Sequence, residues 1–332
     1  IPLCAELHEG VKELRKLQNK PEPKVRGHAK VSITSLMAAM VGEVVLSLNK
    51  QCIIVLDAYF AVGPVFLILK EILDTQGTSL VHVVTRAKDN IVGFEPPPPK
   101  TGRRGAPRKF GQKVKIMSLF ESQREQFQEL TIDLYGHGKS LAFLCVDLFW
   151  KPIQDRVRFV LVEDGKDRFI LLCSDLTLSS ENIIKAYSYR FKIEVNFKVL
   201  KHLMGAFFYH FWTRVWPGIR HPKGNDLSQT NDPFSERLIQ QATTAIEAFV
   251  NFACIATGIL QILALNCHQT IWENYRGWLR TITSTIPSEE VVRSVVQQEY
   301  FHNFHIFSNT AIYQIIMSKS RKLYDSTMSL IA

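Results

Sequence analysis

Residues 51–57 read QCIIVLD, and the fold turns on how that run is placed. It is short, rich in β-branched residues and closed by an acid. It shows no alternation of apolar and polar positions, so both faces need cover. That predicts a buried strand with a carboxylate, Asp57, at its C-terminal end. Working outward, Ile33, Leu36, Met37, Met40, Val44 and Leu48 fall at helical spacing and predict a helix over 31–49. A second helix is expected over about 60–74, stopped near Gly77. Leu80–Thr85 is another apolar run and reads as a parallel neighbour strand. Helix, strand, helix and strand in succession define an α/β layer.

The pattern changes on either side. Residues 1–10 read as a strand ending at Gly10, followed by a polar, basic stretch with Pro21, Pro23 and Gly27. After residue 88 come four consecutive prolines, Pro96 to Pro99, and then β-like runs at Val114–Phe120, Leu130–Tyr135, Leu141–Phe149, Val157–Val162 and Phe169–Cys173. Asp164-Gly165 between the last two is a hairpin turn. This block reads as a β-rich insertion whose final strand returns to the main sheet. A long helix is expected over 180–204, a polar loop over 216–233, and helices from 235 to the end. Ala245–Leu265 is apolar, but Glu247, Asn251 and Gln261 interrupt it, leaving no clean span of about 20 residues. It reads as a buried helix, with no membrane partner.

Composition limits the function classes. The 332 residues are 46% hydrophobic, enough for a packed core, and carry a net charge of +9, which favours polyanionic partners. Of the six cysteines none forms a CxxC pair, and the ten histidines show no metal-ligand spacing. That argues for reduced thiols and against a disulfide framework or a zinc cluster.

The strongest chemical signal lies in AYSYRFKIEVNFKVLKH, residues 186–202. Tyr187, Arg190, Glu194 and Lys201 fall at i, i+3, i+7 and i+14. On a regular helix these offsets are about 0°, −60°, −20° and −40°, one narrow face. A carboxylate there can hold Mg²⁺ through oxygen, and Arg and Lys within a turn or two can hold phosphates. Ile193, Phe197, Leu200 and Met204 form a separate stripe expected to anchor the helix on a core.

Tyr-x2-Arg-x3-Glu-x6-Lys, complete here, resembles the YREK signature of a large group of bacterial insertion-sequence transposases. The similarity runs from PLCAELHEG near residue 1 through the C-terminal helices. It implies an RNase H-like mixed sheet flanked by helices, a DDE carboxylate triad, two Mg²⁺ ions (with Mn²⁺ as a substitute), and cut-and-paste transposition. It also implies transposon-end and target DNA as partners, a synaptic homodimer, and a cytoplasmic, nucleoid-associated location. In the family's strand order, the first Asp is followed by a hairpin and the second closes the fourth strand. Asp57 is followed by a helix and a parallel-type strand, so it maps to the second acid, with Glu194 as the third. Residues 1–10 then map to the third strand, and the strand bearing the first Asp is expected before residue 1. A rival assignment takes Asp57 as the first acid and Asp175 as the second; it puts the insertion in the wrong place, and Asp175 reads better as a turn residue.

The expected divisions are a catalytic core over 1–87, the insertion over 88–168, the rest of the core over 169–215 and a helical region over 216–332. The insertion opens with seven cations and no acid between 100 and 115: Lys100, Arg103, Arg104, Arg108, Lys109, Lys113 and Lys115. These are candidate DNA-phosphate contacts. Arg86 and Lys88 could approach the scissile phosphate, and Trp150 is a candidate stacking residue. His202, Trp212, Arg214 and Trp216 are weaker candidates. The alternatives are a catalytically inactive DNA-binding remnant, another RNase H-like nuclease, or a basic membrane-associated protein.

Overall fold

The structure is a computed structural model that describes residues 5, 33–99, 108–134, 136–210, 215, 232–280 and 285–319. It divides into two compact units. The larger takes in the described residues from 33 to 197 and from 215 to 246; the smaller takes in Ala5, Lys198–His210 and the described residues from Glu247 onward.

The larger unit is mixed α/β. Helix α1 (Ile33–Leu48) leads into β1 (Cys52–Leu56), α2 (Gly63–Lys70) and β2 (Val81–Arg86). Then come β3 (Val92–Phe94), β4 (Lys113–Lys115), the short α3 (Leu119–Ser122), β5 (Gln128–Leu134), β6 (His137–Trp150), β7 (Asp155–Asp164) and β8 (Asp167–Cys173). All join one eight-stranded sheet, ordered β1-β2-β8-β7-β6-β3-β4, with β5 paired to β6. β1 and β2 are parallel, with Cys52 opposite Val81 and Leu56 opposite Thr85; the other described pairings are antiparallel. The β7–β8 hairpin turns where expected, with Gly165 at φ 61°, a conformation that glycine adopts without a Cβ clash.

The central strands are apolar on both sides because both sides are covered. Val81, Val83, Phe159, Leu161, Ile170 and Leu172 pack on one face with Ala38 and Val45 of α1 and Val65, Phe66 and Leu69 of α2. Val84, Val160, Val162, Leu171 and Cys173 point to the other, where Ile183 and Ile184 of α4 (Ser180–Ser188) meet them. Alternate residues of one strand thus serve two cores, and each buried aliphatic or aromatic side chain contributes about 1.5–3 kcal/mol.

The β-rich block continues the sheet begun by β1 and β2, and its final strand, β8, pairs with β2 as expected. Several expectations need correction. The Val114–Phe120 run is strand only at its start, then a 3-10 turn and α3, because Ile116, Leu119 and Phe120 all turn into the core. The expected 180–204 helix is α4, a 3-10 turn over Tyr189–Phe191, α5 (Lys192–Lys198) and a π turn over Val199–Leu203. Its anchoring stripe holds only in part: Leu200 is buried, while Ile193 and Phe197 are half-exposed. Of the strand expected over 1–10 only Ala5 is described. It lies outside any strand, and its N–H and carbonyl are hydrogen-bonded to the Asn251 amide side chain at 2.8 Å each. The 216–233 loop falls outside the described residues up to 231.

The smaller unit is built on helices. Helix α6 (Pro233–Asn266) is assigned to it from Glu247 onward, followed by α7 (His268–Asn274), α8 (Glu289–His302) and α9 (Ala311–Lys319). Leu260 and Ala264 pack with Ile271, Val291, Val292 and Val295; Ala253 and Cys254 pack with Leu200 and Ala206. By length and composition α6 could cross a membrane, but the expectation that it is simply buried holds for one face only: Phe252 is 70% exposed.

Candidate active site

Asp57 sits where the sheet's parallel pair ends, immediately after β1 and just before the 3-10 turn Ala58–Phe60. Ligands of open α/β sheets gather outside the C-terminal ends of parallel strands, so this is a favourable place for a reactive carboxylate. Thr85 of β2, opposite Leu56 in register and fully buried, donates its hydroxyl to the Asp57 carbonyl at 2.9 Å. Arg86, one residue on, is exposed and lies over the Phe169 ring at 5.7 Å.

The second wall comes from α4 and the turn after it. Ser179 caps α4, its hydroxyl accepting from the Asn182 N–H at 3.3 Å, and Glu181 in the first turn complements the helix dipole. Arg158 fixes the approach. Its Nε and Nη2 donate to both Asp147 oxygens at 2.8 Å, and its Nη1 donates to the Leu178 carbonyl, also at 2.8 Å, tying β7 to the residue before the cap. The Asp147 hydrogen bond pushes the Arg158 pKa further up, so the clamp stays charged.

Arg190, in the 3-10 turn, joins the two walls. Its Nη2 donates to Glu194 Oε1 at 2.7 Å and its Nη1 to Asp57 Oδ2 at 3.4 Å. One guanidinium therefore bridges carboxylates 137 positions apart in the chain (194 − 57), and both side chains keep half or more of their surface open to solvent. Partial burial works against the Arg190 charge, but Glu194, Tyr187 and Asp57 outweigh it and hold the pKa above its ordinary value. Tyr187 is half-buried; burial pushes its phenol upward, while Arg190 and Arg86 pull it down. Asp57, Arg86, Tyr187, Arg190 and Glu194 thus share one electrostatic neighbourhood.

Other sequence candidates fall elsewhere. Lys201, on the π turn, is exposed and belongs to the smaller unit, as does exposed His202. Arg108 and Lys109 are exposed in the larger unit, with Lys109 Nζ donating to Gln154 Oε1 at 3.3 Å. Lys100, Arg103, Arg104, Trp212, Arg214 and Trp216 lie outside the described residues. Trp150 is corrected to a core residue, 6% exposed and edge-on to Phe66 at 5.1 Å, so it offers no open stacking face. Asp175 behaves as a turn residue, accepting from the Thr177 N–H and hydroxyl at 2.7 Å. Thr85 and Arg158 carried no sequence signal, since each acts through a partner in a different strand or loop.

The donor set suits a hard cation. Two open carboxylates beside arginines can share Mg²⁺ with waters and substrate phosphate oxygens. Among the described residues no three His, Cys, Asp or Glu side chains converge on one point, so Asp57 and Glu194 are the ligands on offer. Burial pushes the Cys173 thiol up to about 12, too protonated for a nucleophile. A cleft of about 780 Å³ lies apart from these residues, lined by Phe127, Phe143, Cys145, Ser179 and Glu181 among others. No protein-family model matches the chain, and no curated protein matches its sequence.

Proposed function

We propose that the chain is the core of a divalent-metal-dependent DNA transposase of RNase H-like fold, with Asp57 and Glu194 as metal-holding carboxylates. The observation that carries this reading is the Arg190 bridge, which draws together the acid at the end of a buried parallel strand and the acid of the Tyr-x2-Arg-x3-Glu-x6-Lys run. Bound there, Mg²⁺ or Mn²⁺ would polarise phosphodiester oxygens and lower the pKa of water or of a DNA 3′-hydroxyl. The family resemblance supplies a third carboxylate and a second ion; the described residues supply the two acids.

On this reading Asp57 and Glu194 would hold the cation, and Arg190, whose two Nη groups now donate to those acids, would turn its fork to a phosphate once the cation takes its place. Arg86 adds charge on the β2 side, and Tyr187 offers a hydroxyl to the flanking phosphate. Lys201, Lys100, Arg103, Arg104, Arg108 and Lys109 extend the phosphate contacts along transposon-end and target DNA. A homodimer and a cytoplasmic, nucleoid-associated location belong to the same proposal.

Glu194→Gln tests it. With Mg²⁺ or Mn²⁺ and supercoiled plasmid, a full-length protein that includes the first Asp implied by the resemblance is expected to nick DNA. The variant should lose at least about 100-fold in rate while its DNA affinity holds within about twofold. Undiminished nicking by the variant defeats the metal role. A second reading, a DNA-binding protein without catalysis, draws on the missing third ligand among the described residues. Tight DNA binding by the wild type with no nicking in either metal would favour it.

A further inference from the structure

Helix α7 ends at Asn274, and the residues after it, Tyr-Arg-Gly-Trp-Leu-Arg (275–280), alternate between two environments. Tyr275 and Leu279 are half-buried and pack on the core of the smaller unit; Arg276, Trp278 and Arg280 are exposed. Trp278 is 82% exposed, the highest value among the described large hydrophobic residues. The segment that presents it is well anchored. Tyr275 Oη donates to the Trp278 carbonyl at 3.4 Å, and a Cβ at Gly277 would collide with the Tyr275 hydroxyl, so the turn closes only around a glycine. Trp272 of α7 meets Tyr275 edge-on, ring centroids 6.1 Å apart, and its Nε1 donates to the Thr285 carbonyl at 2.9 Å. Indole is usually well buried, yet here the anchors bury their own apolar bulk and leave this ring in water. Cations flank it. Arg276 Nη1 donates to the Glu273 carbonyl at 2.6 Å, which holds that guanidinium beside the turn, and no acid occurs from 274 to 288.

We propose that Arg276, Trp278 and Arg280 form a binding site for single-stranded DNA, in which an unpaired base stacks on the Trp278 indole and the two guanidiniums hold phosphates on either side of it. Every base has a π face, so an open indole binds one without regard to sequence, and arginine is the side chain best shaped to hold the phosphates that come with it. The net charge of +9 draws in a polyanion. A lipid surface would need further apolar side chains beside the ring to enter the acyl boundary, but the apolar neighbours, Tyr275 and Leu279, are turned to the core. The site lies within the smaller unit. It rests on the DNA-binding part of the proposed function and needs none of its catalysis.

Fluorescence anisotropy on the 332-residue chain tests it, with labelled oligothymidylate and with an abasic oligomer of the same length that keeps the phosphates and lacks the bases. The wild type is expected to bind oligothymidylate at least about tenfold more tightly than the abasic oligomer. Trp278→Ala should bring the two affinities within about twofold of each other, and Trp278→Phe, which keeps a ring, should recover most of the preference, with circular dichroism unchanged in both. If Trp278→Ala unfolds, Trp278→Leu, apolar but without a ring, takes its place. Arg276→Ala/Arg280→Ala should weaken binding of both oligomers and reduce the salt slope by about 1.4, at about 0.7 per phosphate. A folded, ringless variant that still prefers oligothymidylate overturns the site and leaves DNA binding standing. So does a wild type that binds duplex DNA but neither oligomer; one that binds no DNA at all overturns both. Binding to phosphatidylcholine vesicles that is lost in Trp278→Ala, with DNA affinity unchanged, overturns the site in favour of a lipid contact.

Discussion

Thr85 illustrates how a residue with no chemistry of its own can govern a site. It is fully buried, and its hydroxyl is spent on the carbonyl of Asp57. Thr85→Val keeps the shape and removes one of two donors, leaving that carbonyl with the Phe60 N–H at 2.9 Å. Urea unfolding should show a loss of about 1 kcal/mol, and, on the proposed phosphoryl-transfer reading, metal-dependent nicking should fall roughly tenfold as the Asp57 backbone loosens. Thr85→Ser, which keeps the hydroxyl, should recover most of both. Equal activity in the Val and Ser variants would remove Thr85 from the site. Asp57 and Glu194 could be singled out from sequence because an acid closing an apolar run and an acid in a Tyr-Arg-Glu-Lys spacing are both local patterns. Thr85 and Arg158 could not, because the partner each one serves is set by strand register and loop path.

The β7–β8 hairpin belongs to the scale of elements. Glu163 of β7 stands opposite Arg168 of β8, accepts from its Nε at 2.7 Å, and is also paired with Arg124 from the turn after α3. Arg168 Nη1 reaches on to Glu121 at 2.5 Å, so the network ties the hairpin to the segment around α3. Burial alone would raise the Glu163 pKa, but Arg124 and Arg168 outweigh it and hold the carboxyl below its ordinary 4.5. A depressed folded pKa means the stabilisation is complete above about 4.5 and is lost as pH falls through the folded value. Glu163→Gln is therefore expected to lower the urea midpoint at neutral pH, with the gap to wild type closing below pH 4.5. A gap that is constant from pH 7 to pH 3 would show that the pair does not act through charge. At this scale the sequence anticipated the strands well and the helix after β8 poorly. Regular spacing over 180–204 conceals the 3-10 and π turns, since nothing local to Tyr189 or Lys201 forbids an α-helix there.

At the scale of the whole molecule the net charge of +9 is the property with the broadest consequence. If DNA is the partner, binding followed by fluorescence anisotropy should weaken linearly in log affinity against log salt, losing about 0.9 of slope per phosphate contacted. Arg108→Ala/Lys109→Ala should reduce that slope by about two while leaving any preference among DNA sequences unchanged. An unchanged slope would take the basic segment out of the DNA contact. Division into units is also a property of this scale. The expected boundary at 215/216 does not separate the two units, because Lys198–His210 joins the smaller one while the start of α6 counts with the larger. Compactness depends on which apolar faces find each other, and composition along the chain does not record that.

The sequence by itself determined the α/β order from α1 to β2, the acid at the end of β1, the β7–β8 turn and the motif carrying Glu194, because strand and helix periodicity and turn chemistry act over a few residues. Only the tertiary structure decided that the β-rich segment continues the first sheet, that Trp150 is core, that Arg190 spans both acids, and that one face of α6 remains open. Those outcomes depend on pairing between segments far apart in the chain, where register and packing choose among partners that are locally equivalent.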